Sequence, residues 1–470
     1  MENFWDFSVW GSFFLIAVLL GSLLIGNALK KSIPFLRNSL IPTSVLGGII
    51  LLIIAEVYRL ITGNPLFNEA FFGGNGYANL EIITYHTLAL GFIATSFKAS
   101  NNKLTKKRTG EIFNTGVTTV STYLIQGIFG LAITLIAALI ITDFFPVAGI
   151  LLPFGYGQGT GQALNYGTIF ETDYGFVGGK SFGLTIAALG FLSASIGGVI
   201  HLNVLKRRGK IKVTDKFKLK ISVDDVQSEN EIPMQGSVDK TSIQLAFVTL
   251  AYVLAYGVMY LLGLILPGMK STIFGFNFLL GVLTATLIKF VLKFLKKKSV
   301  VKKDYINNFL MTRIGNLFYD IMVVAGIAAI RLDLLERYWG IILILGVVGL
   351  VITYIYNRIV AKTLFKDYAE EQFLAMYGML TGTASTGIIL LREVDGDFIT
   401  PVADNLVYQN FPAIAFGFPM MLLVTFAPKE PILTLIIFIV FFIVMNIILF
   451  RSKIFRRKNK KEIPAQNDQV

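Results

Sequence analysis

The chain of 470 residues has no cysteine and only two histidines, His86 and His201. Disulfides and thiol chemistry are therefore excluded, and a zinc site of the usual Cys and His ligands has too few donors. Charge is scarce as well. Asp, Glu, Lys and Arg make up 15% of the residues, against roughly 25% in soluble domains. No Gly-x-x-x-x-Gly-Lys-Ser/Thr stretch is present, so the standard phosphate-binding loop is missing and ATP coupling with it. No nucleophile–histidine pair, paired aspartates or metal constellation stands within the apolar sequence, and the chain is read as a non-enzyme.

What fills the chain is apolar sequence, 54% of residues at a mean hydropathy of +0.68. A membrane helix needs about 20 apolar residues. Runs of that length stand at 8–28, 41–61, 80–97, 112–142, 178–205, 241–266, 272–292, 305–330, 338–361, 400–427 and 431–450. This predicts an all-α polytopic membrane protein of eleven spans. Met1 to Ser8 carries no Lys or Arg, so the basic start of a cleaved signal peptide is missing and the first span is expected to be retained.

The net charge of +13 does not indicate a nucleic-acid partner, because the basic residues fall in short connections between spans. With the N-terminus outside, the inner connections and tail carry 34 Lys and Arg and the outer ones carry 6. That asymmetry places the C-terminus in the cytoplasm, as in a multi-pass protein of the bacterial plasma membrane. It also makes the two halves inverted in topology. The expected layout is a first five-span repeat at 1–205, a cytoplasmic linker at 206–240, a second five-span repeat at 241–427, an extra span at 428–450 and a basic cytoplasmic tail at 451–470.

Two glycine- and threonine-rich interruptions mark corresponding places in the halves, within hairpins expected at 146–168 and 370–391. The first contains Gly157, Gln158, Gly159, Thr160 and Gly161; the second contains Thr381, Gly382, Thr383, Ser385 and Thr386. Unsatisfied backbone cannot face lipid, so such breaks belong in re-entrant loops that line a cavity, the usual place of a transporter's binding site. A helix restarting after the first break offers free N–H groups and a positive dipole end to an anion. In the second, hydroxyls and unwound carbonyls suit a bare Na⁺. Tight helix packing through small residues, or hydroxyls capping their own helix, is the plain alternative.

Further candidates stand nearby. Arg392 suits a bidentate clamp on a carboxylate or an interfacial charge cluster with Glu393 and Asp395. Asp320, mid-span, is a Na⁺ or proton site or the partner of Arg313 on the same helix. Asn405, Gln409 and Asn410 are neutral ligand candidates, with Thr383, Ser385, Asn405 and Asp320 as the Na⁺ set. His86 is a proton relay or a hydrogen-bonded side chain.

Gly157-Gln158-Gly159-Thr160-Gly161, Tyr174-Gly175-Phe176, the glycines Gly190, Gly197 and Gly198, and Ile41-Pro42 with Val45-Leu46-Gly47-Gly48 resemble the bacterial sodium/glutamate symporter family. The second hairpin and Leu391-Arg392-Glu393-Val394-Asp395 are similar to a divergent branch of it. The resemblance covers nearly the whole chain in layout and about a tenth of it in specific motifs. It implies Na⁺-coupled uptake of L-glutamate through two inverted repeats whose re-entrant loops meet, and a homodimer; Na⁺ is the coupling ion and no organic cofactor is needed. The second loop departs from the family in being rich in Thr and Ser, and the eleventh span is extra. Citrate, malate or another di- or tricarboxylate, driven by Na⁺ or H⁺, is the alternative cargo, and an ion channel is the alternative class.

Overall fold

The computed structural model describes residues 3–98, 105–209, 226, 230–234, 236–396 and 399–454; the side chain of Ser385 lies outside the described residues. Most of the expected linker, and the tail from 455 onward, also lie outside them.

The described chain is helical, and ten of its helices are long and apolar enough to cross a membrane. It is an all-α, multi-pass membrane protein. In order the α-helices of seven or more residues are α1 (Phe7–Ser32), α2 (Thr43–Thr62), α3 (Gly76–Phe97), α4 (Lys106–Ile140), α5 (Leu151–Tyr174), α6 (Gly179–Arg207), α7 (Lys240–Ile265), α8 (Asn277–Lys297), α9 (Asn308–Ala328), α10 (Trp339–Leu364), α11 (Ala369–Thr381), α12 (Ala384–Arg392), α13 (Val402–Tyr408), α14 (Asn410–Phe426) and α15 (Pro431–Leu449). The span expected at 400–427 is broken: α13 and α14 meet at a 45° bend. Basic residues close α1 (Lys30, Lys31), α6 (Lys206, Arg207) and α8 (Lys296, Lys297), where they face the negative end of the helix dipole.

The helices pack as two bundles. One holds α1, α2 and α3 with α7, α8 and α9. The other holds α4, α5 and α6 with α10 to α15. Each half of the chain thus gives its first three long helices to one bundle and the rest to the other. The described end of the linker is held in place, because the buried Lys240 ammonium meets Glu231 Oε2 at 2.7 Å and Asn307 Nδ2 donates to the same oxygen at 2.6 Å.

α5 is not one straight rod. Gly159 stands at φ 78°, ψ −170° inside it. In a continuous helix Phe154 and Tyr166 would lie about 18 Å apart, yet their rings stack with centroids 3.9 Å apart. The ends of the segment meet as well, since the Phe145 ring lies 5.3 Å from Phe170 and 4.8 Å from Phe176. The chain doubles back at Gly159, and the returning arm extends to Tyr174 rather than ending near 168. α11 and α12 form a second hairpin, turned at Gly382 and Thr383 and closed by Gly378 against Gly387.

The base of this second hairpin is tied to its neighbours by charge. Glu370 takes a fork from Arg358 at 2.5 and 2.7 Å and contacts His201 Nε2 at 2.9 Å. Burial pushes the Glu370 carboxyl up, but hydrogen bonds and charge from Arg358 and His201 outweigh it and hold it at about 2. A carboxylate held down in this way stabilises the fold above its ordinary range near 4.5 and loses that contribution as pH falls through about 2. Glu370→Gln is therefore expected to melt below wild type at pH 7, with the gap narrowing as pH falls from 5 toward 2. An unchanging gap across thermal melts in that window would show that the ion pair contributes nothing.

Candidate functional site

The two hairpin turns touch. A methyl carbon built on Gly159 would lie 3.4 Å from Thr383 Cγ2 and 3.7 Å from the Gly382 carbonyl oxygen. The contact depends on glycine, because the region around φ 78°, ψ −170° is open to almost no other residue. Beside it lies a cavity of about 160 Å³ between the two bundles. Pockets for drug-sized ligands run to roughly 300–1,000 Å³, so this one suits a small solute.

Its walls come from both hairpins and both bundles. Gly157 and Gln158 come from the first turn, and Met379, Gly382, Thr383 and Ala384 from the second. The first bundle adds Phe92, Thr95, Phe278, Tyr319 and Met322; the second adds Thr119, Tyr123, Gln409, Asn410 and the α14 residues Ala413, Ile414, Gly417 and Met421. No Asp, Glu, Lys, Arg or His is among them. Polarity is supplied by hydroxyls, amides and broken helix ends. Both hairpins restart as helices at their turns, so the first N–H groups of the returning arms lie at the tips, with the positive end of each dipole.

Neighbouring side chains set the turns. The Tyr123 hydroxyl donates to the Gly157 carbonyl at 3.1 Å, two residues before the kink. Any Cβ at Gly157 would sit 2.1 Å from the Tyr123 ring. Thr160 Oγ1 donates to the Met322 carbonyl at 3.2 Å, which ties the returning arm to α9. At the bend between α13 and α14, Thr119 Oγ1 donates to Gln409 Oε1 at 2.8 Å and Gln409 Nε2 donates to Asn410 Oδ1 at 2.9 Å.

The expected residues divide. Gly157, Gln158, Gly382, Thr383 and Asn410 line the cavity, and Gly159 abuts it at the turn contact. Thr386 stands one turn behind, its hydroxyl 3.4 Å from that of Thr383. Ser385 lies in α12, its side chain outside the described residues. Gly161 packs on Leu88, where a Cβ would come within 2.7 Å of that side chain. Thr381 donates to the Tyr377 carbonyl of its own helix at 2.6 Å, the capping alternative.

Four candidates are not brought to the cavity. Arg392 is exposed at the far end of the nine-residue α12, about 12 Å from the turn. Asp320 follows the cavity-lining Tyr319 on α9, but a 100° turn per residue carries it to another face, toward Ser44 of α2. Arg313 does not pair with it; its guanidinium stands 5.0 Å over the Phe309 ring. Asn405 is fully buried one turn before Gln409, with its amide toward Gln372 at 3.5 Å. His86 lies in the first bundle away from the cavity, hydrogen-bonded to the Tyr252 hydroxyl at 2.8 Å.

Sequence reasoning missed Thr119, Tyr123, Thr95, Tyr319 and Met322. The first two had a legible signal. Thr115, Thr119, Thr122 and Gln126 recur at helical spacing through an otherwise apolar span, which marks a polar face. Tyr319 and Met322 had none, since an aromatic and a methionine in a membrane helix read as packing. No protein-family model matches the chain, and no curated protein matches it either.

Proposed function

We propose that the chain is a secondary active transporter, a Na⁺-driven symporter of L-glutamate of the sodium/glutamate symporter type. The two hairpins are re-entrant loops of inverted repeats, dipping from opposite leaflets with the N-terminus outside, and the cargo binds where their tips meet. The observation that carries this reading is the contact of Gly159 with Gly382 and Thr383 beside a small cavity lined by no Asp, Glu, Lys, Arg or His. Broken helices that end at one point between two bundles are what alternating access needs. Helix N-termini attract a carboxylate there, and the Thr383 and Thr386 hydroxyls with the Gly382 carbonyl are neutral oxygens of the kind Na⁺ takes. One bundle moving against the other would expose the cavity to each side in turn. The working assembly in the bacterial plasma membrane is read as a homodimer.

One observation favours a second cargo. No acidic side chain lines the cavity, so an α-ammonium group would rely on carbonyls and hydroxyls alone. Malate or citrate has no such group to satisfy.

Proteoliposomes with an inward Na⁺ gradient are expected to accumulate radiolabelled glutamate, and collapsing the gradient to stop it. Faster uptake of malate or citrate would move the assignment to the second cargo. Full-rate uptake on a proton gradient alone would overturn Na⁺ coupling, and unitary currents in a planar bilayer would overturn the transporter reading.

A further inference from the structure

We propose a Na⁺ site behind the second hairpin, between α4 and α10, built from Thr122, Gln126, Thr353 and Asn357. The inference deepens the transporter reading and rests on it only for the site's role in coupling. None of these residues lines the cavity.

The four side chains are at most 2% exposed. They form two pairs four residues apart on facing helices, and hydrogen bonds cross between them. Gln126 Nε2 donates to Thr353 Oγ1 at 2.8 Å and to the Leu380 carbonyl at 2.9 Å. Asn357 Nδ2 donates to the Thr353 carbonyl at 3.0 Å and more loosely to Thr122 Oγ1 at 3.4 Å. A backbone carbonyl only accepts, so these bonds settle which end of each amide is nitrogen. The amide oxygens, Gln126 Oε1 and Asn357 Oδ1, are then buried with no donor in reach. Leaving such an acceptor unsatisfied costs about 1–3 kcal/mol, and here two stand in one small cluster.

The surroundings ask for positive charge. The Thr122 hydroxyl proton is committed to the Thr118 carbonyl at 2.8 Å, so toward the cluster this oxygen can only accept, as it does loosely from Asn357 Nδ2. The carbonyl of Leu380 belongs to the last turn of α11, the negative end of that helix. Among the described residues no group of His, Cys, Asp and Glu is placed to hold a metal ion. The ligands are neutral oxygens on hydroxyls, amides and a helix end, which fits a monovalent hard cation and not a divalent one that demands carboxylates. Gln126 touches both the ion's oxygens and the hairpin, so an ion bound there would hold the Leu380 end of α11 in place.

The test is a thermal-shift titration of the full-length purified protein with NaCl, KCl and choline chloride at matched ionic strength, without cargo. Wild type should be stabilised saturably by NaCl and not by the other two salts. Gln126→Leu and Asn357→Leu should weaken the Na⁺ midpoint about tenfold or more. The near-isosteric Asn357→Asp, which keeps the oxygens and adds a charge, should tighten it. A flat Na⁺ response, an equal effect of choline or K⁺, or an unchanged midpoint in Asn357→Asp would overturn the site and leave the two oxygens to buried water. Failure of the transporter reading is distinguishable. Na⁺ binding that depends on these residues, with no carboxylate uptake in wild-type proteoliposomes, keeps the site and removes the transporter.

Discussion

Gly159→Val is expected to abolish Na⁺-driven uptake while leaving the protein in the membrane at normal yield. The backbone at Gly159, φ 78° and ψ −170°, lies in a region that costs a residue with a Cβ on the order of 1–3 kcal/mol. A branched side chain also pushes its methyls toward Thr383 Cγ2 and the Gly382 carbonyl, already 3.4 and 3.7 Å from the first added carbon. The fold can absorb the change, because the arms of the hairpin remain packed on α6 and α4. The turn contact cannot. A rise of about 3 kcal/mol in the barrier of the transport cycle is a loss on the order of 100-fold in rate. Gly159→Ala should fall between the two. Uptake by the valine variant within about twofold of wild type would make the turn contact incidental to transport.

Gly130→Val should act on the fold instead. Gly130 of α4 and Gly149, in the short 3₁₀ turn that opens the first hairpin, cross backbone to backbone. A Cβ on Gly130 would lie 2.1 Å from the Gly149 carbonyl oxygen, and one on Gly149 would lie 1.8 Å from that of Gly130. Thr134 Oγ1 accepts the Gly149 N–H at 3.1 Å, which fixes the crossing in register. No rotamer change relieves a clash between main chains, so α4 and the hairpin must separate. Overpacking that side chains can absorb costs about 1–3 kcal/mol, and this case lies at or beyond the upper end. The variant should lose the monodisperse peak of the detergent-solubilised protein, or melt many degrees below wild type. A melting temperature within about 2 °C of wild type would show that the segments tolerate separation.

The membrane character and the order of the long helices were legible because apolar runs of spanning length leave few options. The hairpin turns were legible because glycines at alternate positions, as at Gly155, Gly157, Gly159 and Gly161, cannot continue a membrane helix cheaply. That the two turns meet was an implication of the family resemblance and not of composition or spacing; in the structure Gly159 stands against Gly382 and Thr383. Asp320 and Arg392 drew attention because ionisable groups are costly in a bilayer; the structure turns Asp320 toward Ser44, off the cavity-lining face of α9, and sets Arg392 at the far end of α12. The cavity is built from residues with no compositional signature, such as Tyr319 and Met322, and only the packing of α9 reveals which of its faces they occupy. The bend at Gln409 was hidden for a similar reason: the sequence on either side remains apolar, and the break shows only as the pair Gln409-Asn410 with Pro412 close behind.

A cavity wall without charged side chains has an electrical consequence. If that wall shuttles between the two faces of the bilayer, the protein moves no fixed charge of its own there through the field. Each elementary charge crossing the full potential is worth about 2.3 kcal/mol per 100 mV, and here that work falls on cargo and ions alone. The current per solute delivered then counts the charge of ions and cargo together, and with the cargo's own charge subtracted it gives the number of ions.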